Sequence, residues 1–326
     1  MNYRTLGRTG LRVSEIGFGA WGIGGVMWQD SDDRESTRAL EAALDLGLNF
    51  IDTGLAYGDG HSERLIAKVL RDRKTSAPHP VVVATKIPPK NHEWPTRRGV
   101  PLREVFPAEY IRECTVQSLR NLGRDALDLQ QLHVWSPDWL REEEWLREVD
   151  KLRAEGKVRC LGVSVNDHEP GSALELVRSG HVDTVQVICN IFDQSPEVEL
   201  FPLCRKMRVG VIARCPFDEG ALAGKITPET RFPRGDWRNQ YFRGDRKKQV
   251  FERVQKLEAA IAGKIATLPE AALRFCLRHA AVSTVIPGMR TAEHARENCR
   301  VSDGEALPAE LLATLREHAW PKNFYA

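Results

Sequence analysis

Eight short apolar runs, at about 16–19, 49–52, 81–86, 127–133, 158–164, 183–188, 209–214 and 282–286, alternate along the chain with amphipathic segments. Runs of this length without polar alternation read as strands of a parallel sheet covered on both faces. The segments between them carry helix punctuation. Asp32 with Glu35 forms a capping box ahead of Leu40 and Leu44, and Gly47 closes that helix. Pro107 opens another, which turns Ile111, Cys114, Leu119 and Leu122 inward before Gly123, while Leu146, Val149 and Leu152 precede Gly156. The length of 326 residues allows two average domains. Eight strand–helix repeats instead predict one α/β domain over 1–326, a (β/α)8 TIM barrel rather than an open sheet.

Residues 2–15, with Gly7 and Gly10 between short extended pieces, read as an N-terminal β-hairpin outside the barrel. Two connections, about 87–106 and 215–247, are long loops for the C-terminal face, and such loops on compact folds usually carry function. The net charge of +2, with 28% charged residues spread throughout, contains no basic arm for nucleic acid and directs the search to small molecules. No apolar run reaches bilayer length and the N-terminus has no signal core, so the expectation is a soluble cytoplasmic protein. Seven scattered cysteines without a CxxC pair read as free buried thiols, and no metal site is expected.

Gly17-Phe-Gly19-Ala-Trp-Gly22 matches a dinucleotide fingerprint, but that motif requires a helix to start at once, and the first helical pattern waits until about Asp32. Chemistry is better sought at the strand tips, where barrel active sites lie. Asp52 ends one strand and Tyr57 follows on a loop turned by Gly54, Gly58 and Gly60. By itself this stretch reads equally as a capping Asp and a packed Tyr. Lys86, His133, Ser164 and Arg214 end later strands, however, and Gln186 lies within another.

In order along the chain, Gly17-Phe-Gly-Ala-Trp21, Asp52-Thr-x-x-x-Tyr57-Gly, Ala84-Thr-Lys86, Leu132-His133, Gly162-Val-Ser164, Gln186 with Asn190, and Ile286-Pro-Gly followed by Glu297-Asn298 resemble the aldo-keto reductase superfamily, almost end to end. The resemblance implies a barrel that binds NADP(H) across its C-terminal face and reduces an aldehyde or ketone, with Asp52, Tyr57, Lys86 and His133 as the catalytic tetrad. A tyrosine with an ordinary pKa of about 10 is a reluctant acid at neutral pH. A neighbouring Lys86 cation, kept charged by Asp52, should lower that value, and neutral His133 should orient the carbonyl oxygen.

The resemblance also assigns cofactor contacts. Ala20, Trp21 and Asp52 lie at the start of the site, Ser164 and Gln186 hold the carboxamide, and Arg214 stands where relatives place a stacking aromatic. Val165 replaces the Asn that commonly follows the serine. Cys215, Pro216, Gly220, Leu222, Gly224 and Lys225 belong to a segment covering the pyrophosphate. Gly288, Arg290, His294, Glu297 and Asn298 form a loop and helix start suited to an anion, with Arg290 available to a 2′-phosphate. Trp21, Tyr57, Trp94, His133 and Trp135 are the candidate substrate pocket, with Trp28 near its rim. Arg234, Trp237 and Arg238 are candidates for a lid. Two other readings remain open at this point: a noncatalytic nicotinamide-binding regulatory subunit, and a lyase using Lys86 as a Schiff base. The oligomeric state is not indicated.

Overall fold

Period-two alternation along each central strand sorts the barrel interior into an apolar floor and a polar upper layer. The computed structural model describes residues 1–29, 31–73, 76–320 and 322–325. Strands β1 (Tyr3–Thr5) and β2 (Arg12–Ser14) pair antiparallel as the expected hairpin. Eight parallel strands follow among the described residues: β3 (Phe18–Gly19), β4 (Phe50–Asp52), β5 (Val82–Ile87), β6 (Leu127–Leu132), β7 (Val158–Ser164), β8 (Thr184–Ile188), β9 (Gly210–Arg214) and β10 (Val282–Val285). Each pairs with its sequence neighbour, and the sheet closes on itself where Ile16 bridges Val285 and Gly19 bridges Gly288. This is the (β/α)8 barrel the alternation predicts.

The glycines of the false dinucleotide motif serve that closure. A Cβ on Gly19 would lie 2.7 Å from the carbonyl oxygen of Ile286, so only bare backbone lets the first and last strands meet there. A short 3-10 turn (Trp21–Ile23) follows instead of an α-helix. At the opposite end, Leu6 and Val13 of the hairpin pack with Phe50, Val82, Leu129 and Ile212, so the hairpin seals the barrel floor.

The helices that bear on the site are α1 (Asp33–Asp45), α2 (His61–Asp72), α3 (Leu102–Val105), α4 (Ala108–Leu122), α5 (Glu144–Ala154), α6 (Leu174–Ser179), α7 (Leu200–Met207), α8 (Arg238–Tyr241), α9 (Arg246–Ile261), α10 (Leu268–Leu277), α11 (Ala292–Arg300) and α12 (Ala309–Glu317). Asp32 caps α1 by accepting from the amides of Arg34 and Glu35, whereas the Glu35 carboxylate pairs with Arg38. Gly123, in the left-handed region, ends α4, whose Ile111, Cys114, Leu119 and Leu122 are buried as expected. A second apolar cluster, built from α8, α9, α10, α12 and the C-terminal Phe324, backs the long loop after β9. All seven cysteines are free, and all but Cys215 are buried. Among the described residues no helix is long and apolar enough to cross a membrane.

Candidate active site

Asp52, Lys86, Gln131 and Gln186 project from β4, β5, β6 and β8 into one buried layer above the apolar floor. Lys86 is fully buried and donates in three directions: to Asp52 Oδ2 at 2.6 Å, to the Thr53 carbonyl at 2.7 Å and to the Tyr57 hydroxyl at 3.1 Å. The loop 53–60 holds Tyr57 there. Its amide donates to the Gly54 carbonyl, and Gly58, at φ +67°, passes so near Gly24 that a Cβ would overlap the Gly24 oxygen. The His133 ring meets the Tyr57 ring edge-on at 5.6 Å, and its buried Nδ1 has no hydrogen-bond partner among the described residues.

The electrostatics follow from burial and these contacts. Loss of water works against the Lys86 cation, but Asp52 and then Tyr57 outweigh it, leaving the Lys86 pKa above the ordinary lysine value. His133 is driven well below the ordinary histidine value, by burial first and then by the Lys86 and Arg214 cations, so it is neutral. Tyr57 corrects the sequence expectation. Lys86 does pull its pKa down, but burial is the larger effect and the net direction is upward. Tyr57 is therefore a protonated phenol at neutral pH, with the Lys86 cation 3.1 Å from its oxygen.

From Tyr57 a groove of about 1320 Å³ runs across the C-terminal face, larger than the roughly 300–1,000 Å³ of most small-molecule sites. Trp21, Trp28, Trp94 and His133 border it around Tyr57. Trp21 lies 6.4 Å from the Tyr57 ring, while Trp94, 45% exposed, stands edge-on to His133 at 5.7 Å. Ser164, Gln186 and Arg214 border it as well, with Cys215, Pro216, Gly220, Gly224 and Lys225. Gly288, Arg290, His294, Glu297 and Asn298 also border it, where α11 starts with Thr291 capping the His294 amide. Gly220 and Gly288 leave open space where a side chain would stand, so the backbone itself borders the groove there.

Three predicted residues lie elsewhere. Trp135 is fully buried and packs edge-on against Trp139 and Trp145, because the chain turns away from the barrel axis two residues beyond His133. Leu222 joins the apolar cluster beneath the groove. Ala20 is buried behind the wall, where its carbonyl accepts from Ser62. Arg214 borders the groove with its guanidinium fixed in its plane by donation to Asp167 at 2.6 Å and to the Val165 carbonyl at 3.0 Å. Asn166 uses its amide on the Thr96 carbonyl and the Trp135 amide, tying down the loop after β5.

The sequence reading missed Gln131, Asp167, Glu219 and Tyr325. Counting back two from His133 along β6 would have found Gln131. Asp167 is signalled by the nearby cation of Arg214. No local pattern marks Glu219 or Tyr325, which meet across 106 positions of sequence: the Tyr325 hydroxyl donates to the Glu219 carboxylate while its ring stacks on Trp237 at 5.8 Å. Trp237 closes the groove from above, its amide donating to the Met27 carbonyl at 2.8 Å.

The Aldo/keto reductase family model matches residues 15–319. The chain belongs to that family. Among curated aldo-keto reductase relatives, the NADH-specific methylglyoxal reductase of Escherichia coli (strain K12) is 30% identical, the alignment covering 96% of this chain and 98% of the relative. Among solved structures, the glycerol dehydrogenase of Gluconobacter oxydans superposes with a TM-score of 0.78 at 27% identity, covering 97% of this chain and 94% of that one. An aldo-keto reductase of Klebsiella pneumoniae in complex with NADPH superposes with a TM-score of 0.70 at 26% identity, covering 99% and 98%. This aldo-keto reductase chain accordingly has the barrel and the oxidoreductase character of its family.

Proposed function

We propose that the chain is an NADP(H)-dependent reductase of aldehydes or ketones in which Tyr57 is the general acid. The observation that carries the proposal is the buried line Asp52–Lys86–Tyr57, ending beside neutral His133 on a groove of about 1320 Å³. The nicotinamide, when bound, supplies the hydride. Tyr57 delivers a proton to the carbonyl oxygen, and Lys86 stabilises the phenolate as that proton leaves. His133, as a neutral imidazole, donates to the same oxygen and sets its orientation. Ser164 and the Gln186 side-chain oxygen suit a carboxamide. The start of α11 and Arg290 suit phosphate, with Arg290 favouring a 2′-phosphate. The NADPH complex of the Klebsiella relative supports this choice, while the NADH-specific relative from Escherichia coli shows that the family accommodates either nucleotide. The residues between Pro216 and Lys247, pinned by Trp237, are read as the cover of the nucleotide.

The geometry disfavours the two alternatives. A Schiff-base lysine must be neutral and reachable, whereas Lys86 is fully buried, ion-paired and held charged. A sensor has no use for a buried cation aimed at a phenol. The test is a panel of carbonyl compounds followed by nicotinamide absorbance with NADPH and NADH separately. Turnover of at least one aldehyde or ketone, faster with NADPH, is expected. Tight nucleotide binding with no turnover across the panel would favour the regulatory subunit, and borohydride trapping of substrate on Lys86 would favour the lyase.

A further inference from the structure

The tetrad leaves one buried oxygen to other residues. Asp52 is 2% exposed, and Lys86 occupies only its Oδ2. Its Oδ1 accepts from Gln186 Nε2 at 2.7 Å and from Gln131 Nε2 at 3.3 Å, and Gln186 Nε2 also lies 3.4 Å from Gln131 Oε1. A buried anion needs donors on both oxygens, since an unpaired lone pair on a carboxylate costs the full penalty of lost water.

The two glutamines are not equivalent. Gln186 borders the groove, so a bound ligand competes for its amide group, whereas Gln131 is fully buried and does not border the groove. Gln131 pairs in register with Lys86 on β5 and with Gly162 on β7. Gly162 makes room for it: a Cβ there would lie 3.1 Å from Gln131 Cγ and 2.2 Å from the Thr184 hydroxyl. A glycine inside a strand costs stability, and here it opens the space Gln131 occupies.

We infer that Gln131 is a positioning residue for proton transfer, holding the second oxygen of Asp52 so that the carboxylate keeps Lys86 docked beneath Tyr57. This rests on the reading of Tyr57 as the general acid. The charged or titratable groups around Tyr57 are Asp52 on β4, Lys86 on β5, His133 after β6 and Arg214 on β9. Of these, Asp52 is the one whose charge opposes phenolate formation. Donation from Gln131 spreads that charge. Without it, more of the Asp52 field falls on Tyr57, and the phenolate forms at higher pH.

The experiment uses Gln131→Met, which keeps length and volume but has no N–H donor. The readout is the pH dependence of kcat for alcohol oxidation with NADP, the direction in which Tyr57 must act as phenolate, followed into strong alkali until kcat levels off, so that a displaced limb is told apart from a uniform loss. The rising limb should move to higher pH, kcat at pH 8 should fall by about tenfold or more, and the NADP dissociation constant should stay at the parent value. Gln131→Leu, shorter and without the flexible thioether, gives the same reading should methionine strain the barrel. A limb at the parental pH in the folded variants, however low their kcat, would show that Gln131 only fills space. Tyr57→Phe separates the two levels. If Tyr57→Phe still turns over, the general-acid reading fails; if it is inactive while the Gln131 variants keep the parental limb, only the inference about Gln131 fails.

Discussion

Lys86 Nζ lies 2.6 Å from Asp52 Oδ2, with the two side chains 0% and 3% exposed. A pair this dry is no simple stabiliser, because the loss of water by each ion offsets most of their attraction. On the proposed reading the pair serves what the cation does to Tyr57, and its cost shows when one partner is removed.

Asp52→Leu leaves the Lys86 cation without its countercharge and should destabilise the fold by about 3–5 kcal/mol, the usual loss on orphaning a buried charge. Adding Lys86→Met to the same chain should restore much of that stability while leaving the enzyme inactive. Urea unfolding of the parent, the single variant and the double variant measures the coupling. A double variant less stable than the single one would show that the pair stabilises the barrel in its own right.

The pH dependence follows from the directions at the site. Tyr57 titrates above its ordinary value of about 10, so the acid form needed for reduction is fully present at neutral pH and is lost only in strong alkali. His133 is held well below its ordinary value of about 6.5, so it does not acquire charge as the pH falls from 8 towards 6. The kcat for carbonyl reduction should therefore be flat from about pH 6 to pH 9. The kcat for alcohol oxidation, which needs phenolate, should climb by up to about tenfold per pH unit over the same range. A bell with a limb near 6.5 in the reductive direction would show that His133 titrates in the step.

Arg290 borders the groove, with its guanidinium 5.5 Å from the Trp28 ring and a 3.4 Å hydrogen bond to the Gln29 carbonyl. Arg290→Ala should raise the NADPH dissociation constant by about tenfold or more, the scale of a charge-assisted contact of about 1.5–3 kcal/mol, and leave NADH nearly unchanged. Fluorescence titration with both nucleotides checks this. An equal loss for both would make Arg290 a support for the loop at Trp28 rather than a reader of the 2′-phosphate.

What could be read in advance follows the range of the interaction. The eight strands and the barrel came from apolar runs and helix punctuation, signals that lie within about 20 residues. Asp52, Tyr57, Lys86 and His133 could be singled out because each sits at or close to a strand end, where the fold rule looks for chemistry, and the family resemblance picks the same four. Trp135 misled because strand-end logic stops at the first turn: two residues past His133 the side chain points into the helical layer, and an indole is as much at home there as at a pocket rim. Tyr325 and Glu219 were hidden because their contact depends on how the C-terminal segment folds back over the barrel. The upward direction at Tyr57 was missed because sequence shows that a lysine is near but not how completely water is excluded.

Tyr57→Phe tests the acid itself. The substitution removes one hydroxyl whose partner in the protein, Lys86, keeps Asp52 and the Thr53 carbonyl, so the barrel should fold and bind nucleotide with nearly the parent affinity. The proton then has no donor at the carbonyl oxygen, and kcat should fall by at least about 10²-fold, the usual worth of a positioned general acid. Lys86→Met acts on the same step from the other side: it leaves the phenol in place but removes the cation that steadies its conjugate base. Because the two changes disable one event, Tyr57→Phe with Lys86→Met should be little slower than the slower single variant, rather than losing the product of the two effects. Fully multiplicative losses would mean that Lys86 and Tyr57 act in separate steps. A Tyr57→Phe enzyme turning over its best carbonyl near the parent rate would remove Tyr57 from the chemistry altogether.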